Sequence, residues 1–379
     1  MYKMADLMQR VTHSQVEPNS KQTSYTQFDS PVFTISAGDG RSIVRNSIRI
    51  VADLRVLSDT SATRSTGGRT FDKNVGGSAF IQSCSVRTQM QGNLETIDNF
   101  ARYVKTDSCA SKNEYDMLNA SNACELMCVN EIQAEKYCNG VAPTLGTGTA
   151  VIKDIDFSIK PQICLNKTSR DLPHSKTGEI ELQINLAKNQ DALYGSSQDA
   201  NTNYELRNLR CQFKTIPEQK DPAPVVMDVV YNVKSNMLSG SSSISANVPA
   251  PCRAMVANFI QVQHNSVNVF NSLALEDVNK LAEVQMLFNE SVSNSLIAYN
   301  ITDQTEMLER FIDAMSESSH NQVSKDKWKS NDAWALGLNF EDEVDLSQNK
   351  FTLNIRTNAN NINTYPYDVY LYFFSRREL

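Results

Sequence analysis

The clearest alternation of hydrophobic and polar residues lies in the last part of the chain, residues 351–379. Phe351, Leu353 and Ile355 alternate with polar residues, which is the period of a β-strand with one buried face. A polar tract follows, and a second run from Tyr367 to Phe374 carries aromatic side chains on both faces. Because the chain ends shortly after this run, we predict that the C-terminal strand is tied into the middle of a sheet.

In the first hundred residues the pattern predicts three strands and then a helix. The helix is expected to start at Gly92, because Leu94, Ile97, Ala101 and Val104 recur at the spacing of one helix face. The predicted strands are Pro31–Ser36, Ile43–Leu57 and Ala79–Thr88, and the arginines of the second strand need an open face.

Five further strands are predicted between residues 149 and 248, and turn residues rather than helices separate them. Five strands at this spacing favour a small sandwich or barrel. They are Thr149–Ile159, Glu179–Leu186, Tyr204–Ile216, Val225–Val233 and Ser241–Val248.

A Pro-rich hinge at residues 249–251 precedes a mixed C-terminal part. Asp303 and Glu306 form a capping box before an apolar helical stripe, which predicts a helix after residue 303. The other predicted elements are a strand at Arg253–Val262, a helix at Glu276–Phe288, a strand at Val292–Ile301 and strands from Trp334 to the end of the chain.

Length and charge narrow the class of protein. The 379 residues exceed what one hydrophobic core usually holds, so two structural units are expected. The net charge of −7 and the lack of a long basic block disfavour nucleic-acid binding by a broad basic face. No apolar run approaches the ~20 residues that span a bilayer, and the sequence shows no signal-peptide core, so we expect a soluble protein made in a cytosol.

Residues 1–27 are polar and show no sustained period. This composition predicts either a disordered tail or an arm that becomes ordered only against a neighbouring subunit.

Candidate catalytic chemistry is sparse, because no nucleophile elbow, zinc-protease helix or P-loop is present. Residues 146–151 imitate the start of a dinucleotide fingerprint but precede a strand, so they predict a turn. The four histidines, His13, His174, His264 and His320, lie far apart in polar contexts. We therefore predict no catalytic and no cofactor-binding residues.

Two groups of residues, one of cysteines and one of acidic residues, are candidate metal sites. Four cysteines could bind zinc as thiolates, but their spacing fits no common zinc module, so we expect free or buried thiols. An acidic stretch near residue 343 predicts a solvated turn rather than a calcium site. The residues concerned are Cys109, Cys124, Cys128 and Cys138, and Glu341, Asp342, Glu343 and Asp345.

A resemblance to a known family rests on three segments. The sequence GNLETIDNFARY from Gly92 to Tyr103 resembles the strand-following helix in the upright jelly rolls of double-jelly-roll virus capsids. The final strands, FTLNIR and YDVYLYFF, look like the closing half of the same barrel. Along nearly its whole length, the chain is similar to the penton proteins of Sputnik-type virophages.

The resemblance implies an all-β fold, an eight-stranded jelly-roll barrel with an inserted second β domain and a few short helices. Its first and last strands would pair, so the C-terminal strand would close the sheet begun near Pro31. As an alternative, residues 148–265 continue the first barrel and make two tandem jelly rolls. The expected domains are an N-terminal arm at 1–27, barrel strands B–D with the helix at 28–110, the insertion at 111–250 and barrel strands E–I at 251–379.

The function implied by the resemblance is structural. The chain would be a minor capsid protein that forms the homopentameric penton at the five-fold vertices of an icosahedral virion, through heterologous contacts between copies. Its partners would be its own copies, the major capsid protein that forms the surrounding hexameric capsomers, and a host or giant-virus surface. No cofactor and no specific nucleic-acid sequence are implied, and the protein would be made in the host cytoplasm and located in the virion.

Two other classes stay open at this point. One is a carbohydrate- or receptor-binding β-sandwich, such as a lectin-like module or a fibre component, which would also be all-β. The other is a hydrolase on a β-sandwich scaffold, which would need a metal ion or a close pair of carboxylates.

Overall fold

The computed structural model describes residues 11–58, 64, 67–112, 123–141, 152–196, 202–219, 223–237, 242–276, 281–289, 295–300, 304–316, 334–357 and 366–379. These residues fold mostly as β-strands, with few helices. The chain divides into two compact units. The first unit comprises Met1–Val104, Glu114–Val229 and Arg377–Leu379, and the second comprises Lys105–Asn113 and Val230–Arg376.

The first unit contains two sheets. One has the strand order β8-β5-β11-β4-β9, with β1 and β2 paired to β11 as well, and the other has the order β7-β6-β10-β3. Its strands are β1 (Thr12–Val16), β2 (Ser24–Tyr25), β3 (Val32–Ile35), β4 (Arg41–Ile43), β5 (Arg49–Leu57), β6 (Ile81–Thr88), β7 (Gly92–Asp98), β8 (Ile155–Ile159), β9 (Leu172–Pro173), β10 (Ile180–Leu186) and β11 (Asn203–Pro217).

Short helices connect these strands. They are α1 (Phe100–Ser111, whose residues from Lys105 on belong to the second unit), α2 (Glu131–Cys138), α3 (His174–Thr177), α4 (Asn189–Ala192) and the 3-10 helices Gly76–Phe80 and Cys164–Asn166. Asn130 caps α2, because its side chain accepts a hydrogen bond from the Gln133 backbone N–H at 2.9 Å.

Tyr204 links the two sheets of the first unit. It lies in β11, and its Oη donates to the carbonyl of Ala187, which directly follows β10, at 2.5 Å. Its ring also packs 4.8 Å from the ring of Phe80, which directly precedes β6. The phenol is fully buried, so the hydrogen bond satisfies its polar atom while the ring fills the core.

The second unit also contains two sheets, with the strand orders β17-β14-β19-β12 and β13-β18-β15-β16. Its strands are β12 (Val226–Met237, whose first residues belong to the first unit), β13 (Ser242–Ala246), β14 (Pro251–Gln261), β15 (Leu281–Phe288), β16 (Ser295–Asn300), β17 (Leu336–Asp345), β18 (Phe351–Thr357) and β19 (Tyr367–Glu378, whose last two residues belong to the first unit). One helix, α5 (Gln304–Ser316), packs on β17.

A cluster of four phenylalanine rings fills the core of the second unit. The Phe351 ring lies 5.3 Å from Phe373, 5.8 Å from Phe288 and 6.4 Å from Phe340, measured between ring centroids. Phe288 and Phe351 belong to one sheet, and Phe340 and Phe373 belong to the other. The cluster is therefore where the two sheets of this unit meet.

Several predicted strands are confirmed. The five strands between residues 149 and 248 correspond to β8, β10, β11, β12 and β13. The C-terminal strand β19 lies between β14 and β12, so it is an internal strand as predicted. Its residues 367–374 are all buried, which agrees with the aromatic pattern on both of its faces.

One predicted helix is correct only in its second half, and another is wrong. Gly92–Asp98 is strand β7, which pairs with β6, and the helix begins only at Phe100. A bulge at Leu94 breaks the alternation of β7, which gave Leu94 and Ile97 an apparent helical spacing. The stretch predicted as a helix at Glu276–Phe288 contains β15, which pairs with strands on both sides.

The predicted domain arrangement is also wrong in its pairing. Strand β10 pairs with β3, and β11 pairs with β5, so residues 180–217 share sheets with residues 32–57 and form no separate insertion. The last strand, β19, pairs with β14 rather than with the strand near Pro31. In the described part of the chain the strands form open sheets and no closed eight-stranded barrel.

The N-terminal segment does not match a free arm over residues 11–27. Residues 12–16 pair in register with residues 211–215, and Tyr25 pairs with Leu206. Tyr25 is 1% exposed. This part of the segment is therefore built into the first unit, while residues 1–10 lie outside the described residues.

Candidate functional site

The histidines are carried by separate elements. His13 lies on β1, His174 begins α3 and His264 follows β14, while His320 lies outside the described residues. His264 Nδ1 contacts Glu276 Oε1, and its ring packs 4.4 Å from Phe270. Within the part of the chain that the structure describes, no group of three or more His, Cys, Asp or Glu side chains could hold a metal ion.

The structure places the four candidate zinc cysteines as free thiols. Cys109, Cys128 and Cys138 are buried, and Cys124 is exposed. Burial raises the pKa of Cys128 to about 12, and it raises the pKa of Cys138 well above its ordinary value of 9.0. The Cys128 Sγ–H donates to the carbonyl of Leu126 at 3.2 Å, so this thiol is held protonated rather than as a metal-binding thiolate.

The predicted acidic turn is a bulge in strand β17. Cys252 pairs with Val344 and Ala254 pairs with Asn339, so residues 340–343 stand opposite the single residue Arg253. Asp342 and Glu343 are exposed to solvent as predicted, but the predicted turn is wrong, because β17 continues to Asp345. The segment at residues 146–151, predicted as a turn, lies outside the described residues.

A cleft of about 500 Å³ lies on the solvent face of the seven-stranded sheet. Strand pairing brings its basic side chains together, since His13 of β1 lies directly opposite Lys214 of β11. Gln212 lies two residues from Lys214 along β11 and pairs with Gln15 on one side and with Arg49 on the other, which places Arg49 on the same face of the sheet. We call this site the basic cleft and define it by His13, Arg45, Arg49 and Lys214.

The turn between β4 and β5 forms one wall of the basic cleft. Asn46 adopts a left-handed φ of 60°, which Asn tolerates better than most residues. The Ser47 hydroxyl donates to the carbonyl of Val44 at 2.6 Å and accepts from the backbone N–H of Lys214 at 3.2 Å. Asp171 accepts from the backbone N–H of Arg45 at 2.7 Å. These bonds fix the backbone that presents the Arg45 and Lys214 side chains.

The other end of the same sheet face is charge-compensated. Arg207 lies 3.0 Å from Glu205 and 3.7 Å from Asp154, measured between the charged atoms. Arg64 also contacts Asp154, and Arg55 lies 4.0 Å from Glu205. The basic cleft therefore differs from its surroundings, where arginines and carboxylates alternate.

A second polar cluster lies in the second unit, around Asp368. Its Oδ2 accepts from Lys234 Nζ at 3.1 Å and from Asn265 Nδ2 at 2.5 Å. Lys234 also lies over the Tyr370 ring, 5.3 Å from the centroid. The loop after β14 exposes three apolar side chains near this cluster, namely Val262, Val269 and Phe270. The polar groups are mutually satisfied, so this cluster fixes the loop rather than offering a binding site.

The sequence analysis did not predict the basic cleft, because its residues come from positions 13, 45–49 and 214. One signal was present, namely the arginines of the predicted strand Ile43–Leu57, which require an open sheet face. Which strands pair beside them was not encoded in that local pattern.

No helix among the described residues is long and apolar enough to cross a membrane. In the comparisons with known proteins, no protein-family model and no curated protein matches this sequence.

Solved structures do match the fold. The Faustovirus major capsid protein matches with a TM-score of 0.63 and 8% identity, covering 97% of this chain and 90% of that chain. A chain of the Sputnik virophage, solved by cryo-EM, matches with a TM-score of 0.60 and 11% identity over 98% of this chain and 86% of that chain. The mavirus major capsid protein matches with a TM-score of 0.54 and 9% identity, covering 97% of this chain and 90% of that chain. The chain therefore shares the fold of the double-jelly-roll major capsid proteins of virophages and giant viruses.

Proposed function

We propose that this protein is a structural subunit of the shell of an icosahedral virion. The observation that carries the proposal is the extent of the structural likeness. The matches cover 97–98% of this chain and 86–90% of the matched chains, so they include both compact units rather than a single β-sandwich. The Faustovirus and mavirus proteins among them are major capsid proteins.

The two-unit fold favours the role of the repeated shell subunit over the vertex role. The penton prediction favoured one jelly roll with an insertion and kept two tandem jelly rolls as the alternative. Here the strands of residues 180–217 complete the sheets of residues 32–57, and residues 230–376 form a second unit that contains β13 to β18. This arrangement resembles the major capsid proteins along nearly their whole length, so we favour their role for this chain.

Assembly of a shell from one chain sets a physical requirement. Identical copies close into rings when one surface of a copy binds a different surface of the next copy, and the rotation between them closes. A subunit of this kind works through complementary surfaces, and we infer that the protein is not an enzyme. Its location would be the virion, and its first partner would be its own copies.

The experiment is a measurement of oligomer mass by light scattering, followed by negative-stain electron microscopy of the assembled fractions. The proposed role predicts masses that are multiples of 42.4 kDa and larger ordered sheets or shells at high protein concentration. A stable ring of five copies would instead favour the vertex role. A protein that stays monomeric at every concentration would contradict the shell role, and glycan binding by that monomer would support the lectin-like alternative.

A further inference from the structure

The basic cleft brings four basic side chains together, namely His13, Arg45, Arg49 and Lys214. His13 and Lys214 occupy directly opposite positions on neighbouring strands, where like charges repel when both groups are charged. Arg45 and Arg49 add two guanidinium groups, and no carboxylate lines the cleft. Within the described residues, none of these four side chains forms an ion pair. The whole chain carries a net charge of −7, so the local excess of positive charge is opposite in sign to the charge of the chain.

The surroundings of the basic cleft favour a compact acidic partner over a nucleic-acid strand. Beyond Arg49 the same sheet face carries Asp53 and Glu205, so a polyanion that follows the sheet would meet carboxylates. Phe213 is 3% exposed and faces the core, so it offers no surface on which a base could stack. A cleft of about 500 Å³ accommodates a few side chains, which suits carboxylates on a short protein segment.

A segment with that chemistry is present in the same chain. Residues 340–343 form a bulge in β17 opposite Arg253, in which Phe340 packs into the phenylalanine cluster. Strand β17 is the end strand in the strand order of its sheet. We call this segment the acidic bulge. Asp342 and Glu343 are exposed on it, and their carboxylates match the fork geometry of arginine side chains.

We propose that the basic cleft of one copy binds the acidic bulge of a second copy, and that this contact joins subunits in the shell. The cleft and the bulge are different surfaces of one chain, so the contact is heterologous and can close a ring or extend a lattice. This inference rests on the proposed function and names the surfaces that would carry it. Because the contact pairs opposite charges near the surface, assembly should weaken as salt screens them.

Charge reversal on both sides tests the contact. The cleft variant is Arg49→Glu with Lys214→Glu, the bulge variant is Asp342→Lys with Glu343→Lys, and a fourfold variant combines them. Each twofold variant should raise the protein concentration needed for half-assembly by at least about tenfold, because like charges then face each other. The fourfold variant should regain assembly, since its reversed surfaces are again complementary.

The control is Lys188→Glu, which reverses one exposed charge far in sequence from both surfaces. It should assemble as the wild type does. Circular dichroism checks that each variant is folded, and Lys214→Glu alone replaces the cleft variant if that variant does not fold, because Lys214 is exposed.

The outcomes separate this inference from the proposed function. If the wild type never assembles, both the proposed shell role and this contact are refuted. If the wild type assembles and the cleft variant assembles equally well, only this contact is refuted. Loss of assembly in the cleft variant without recovery in the fourfold variant also refutes it. Binding of a fluorescent single-stranded DNA oligonucleotide that the cleft variant loses would assign the cleft to nucleic acid instead.

Discussion

Replacing Phe351 by Ala tests whether the phenylalanine cluster holds the two sheets of the second unit together. Phe351 is completely buried in β18, and its ring contacts three other rings, one in its own sheet and two in the facing sheet. Those partners are Phe288, Phe340 and Phe373. The Ala variant would leave a cavity at the point where the sheets meet.

The expected loss of stability follows from the cavity and the ring contacts. Truncating a buried Phe to Ala typically lowers the free energy of unfolding by about 3–5 kcal/mol. Aromatic pairs contribute about 0.5–1.5 kcal/mol beyond the area that they bury. Because Phe351 has three ring partners, we expect a loss near the upper end, about 5 kcal/mol. A double-mutant cycle with Phe373, whose centroid lies 5.3 Å away, should give a coupling of about 1 kcal/mol.

Tryptophan fluorescence during urea denaturation measures this loss of stability in the second unit. The two tryptophans, Trp328 and Trp334, both belong to residues 230–376. Trp334 is 2% exposed and packs 5.6 Å from the Phe259 ring, so unfolding of the second unit exposes it. Phe270→Ala is the matched control, because this ring is 45% exposed and its removal should change stability by no more than about 0.5 kcal/mol.

The result that would refute the reasoning is a small effect. A loss below about 1 kcal/mol in Phe351→Ala would mean that the cluster is not a packed core. A zero coupling between Phe351 and Phe373 would mean that the two sheets do not meet through these rings.

Further predictions concern the first unit. Tyr25→Ala should lower the free energy of unfolding by about 3–5 kcal/mol in urea denaturation followed by circular dichroism, because this ring is 1% exposed, whereas a free N-terminal arm would predict no change. Cys124 should be the one thiol that reacts with iodoacetamide in the folded protein at pH 8, as mass spectrometry can show, because the other seven are buried. Gly76→Ala should prevent stable folding in a thermal melt, because its Cβ would lie 2.3 Å from a backbone carbonyl oxygen; Gly92→Ala, which also has a positive φ but open space around it, should cost only about 1–2 kcal/mol. Burial raises the pKa of Cys211 from 9.0 to about 12, so between these pH values the unfolded chain releases a proton that the folded state keeps; stability should fall by about 1.4 kcal/mol per pH unit in that range because of this thiol, and Cys211→Ala should lack that part of the slope.

Local patterns in the sequence were sufficient to find most strands. Phe351, Leu353 and Ile355 alternate with polar residues, and all three are at most 1% exposed. The same pattern predicts an open face at Thr352, yet this residue is 3% exposed and packs between β13 and β15. Alternation identifies which residues share a face of a strand, but what covers the second face depends on the rest of the fold.

Predictions from the local hydrophobic pattern were wrong where strand pairing changes the spacing of the buried residues. Leu94 and Ile97 have helical spacing because a bulge interrupts β7, and the bulge exists only in the pairing with β6. In the same way, the stretch predicted as a helix before residue 288 contains a strand that is paired on both sides. Such pairings join residues far apart in the chain, so a local window does not contain them.

By itself the sequence determined that the chain is mostly β, that its C-terminal strand is internal and that the cysteine-rich segment matches no common zinc module. Only the tertiary structure decided that residues 180–217 complete the sheets of residues 32–57, which gives two units instead of a barrel with an insertion. The basic cleft also exists only in the tertiary structure, because the register of β1, β5 and β11 places His13, Arg49 and Lys214 on one face of the sheet. The physical reason is the same in both cases: side-chain alternation is a property of one strand, whereas partner and register are set by hydrogen bonds and burial between distant strands.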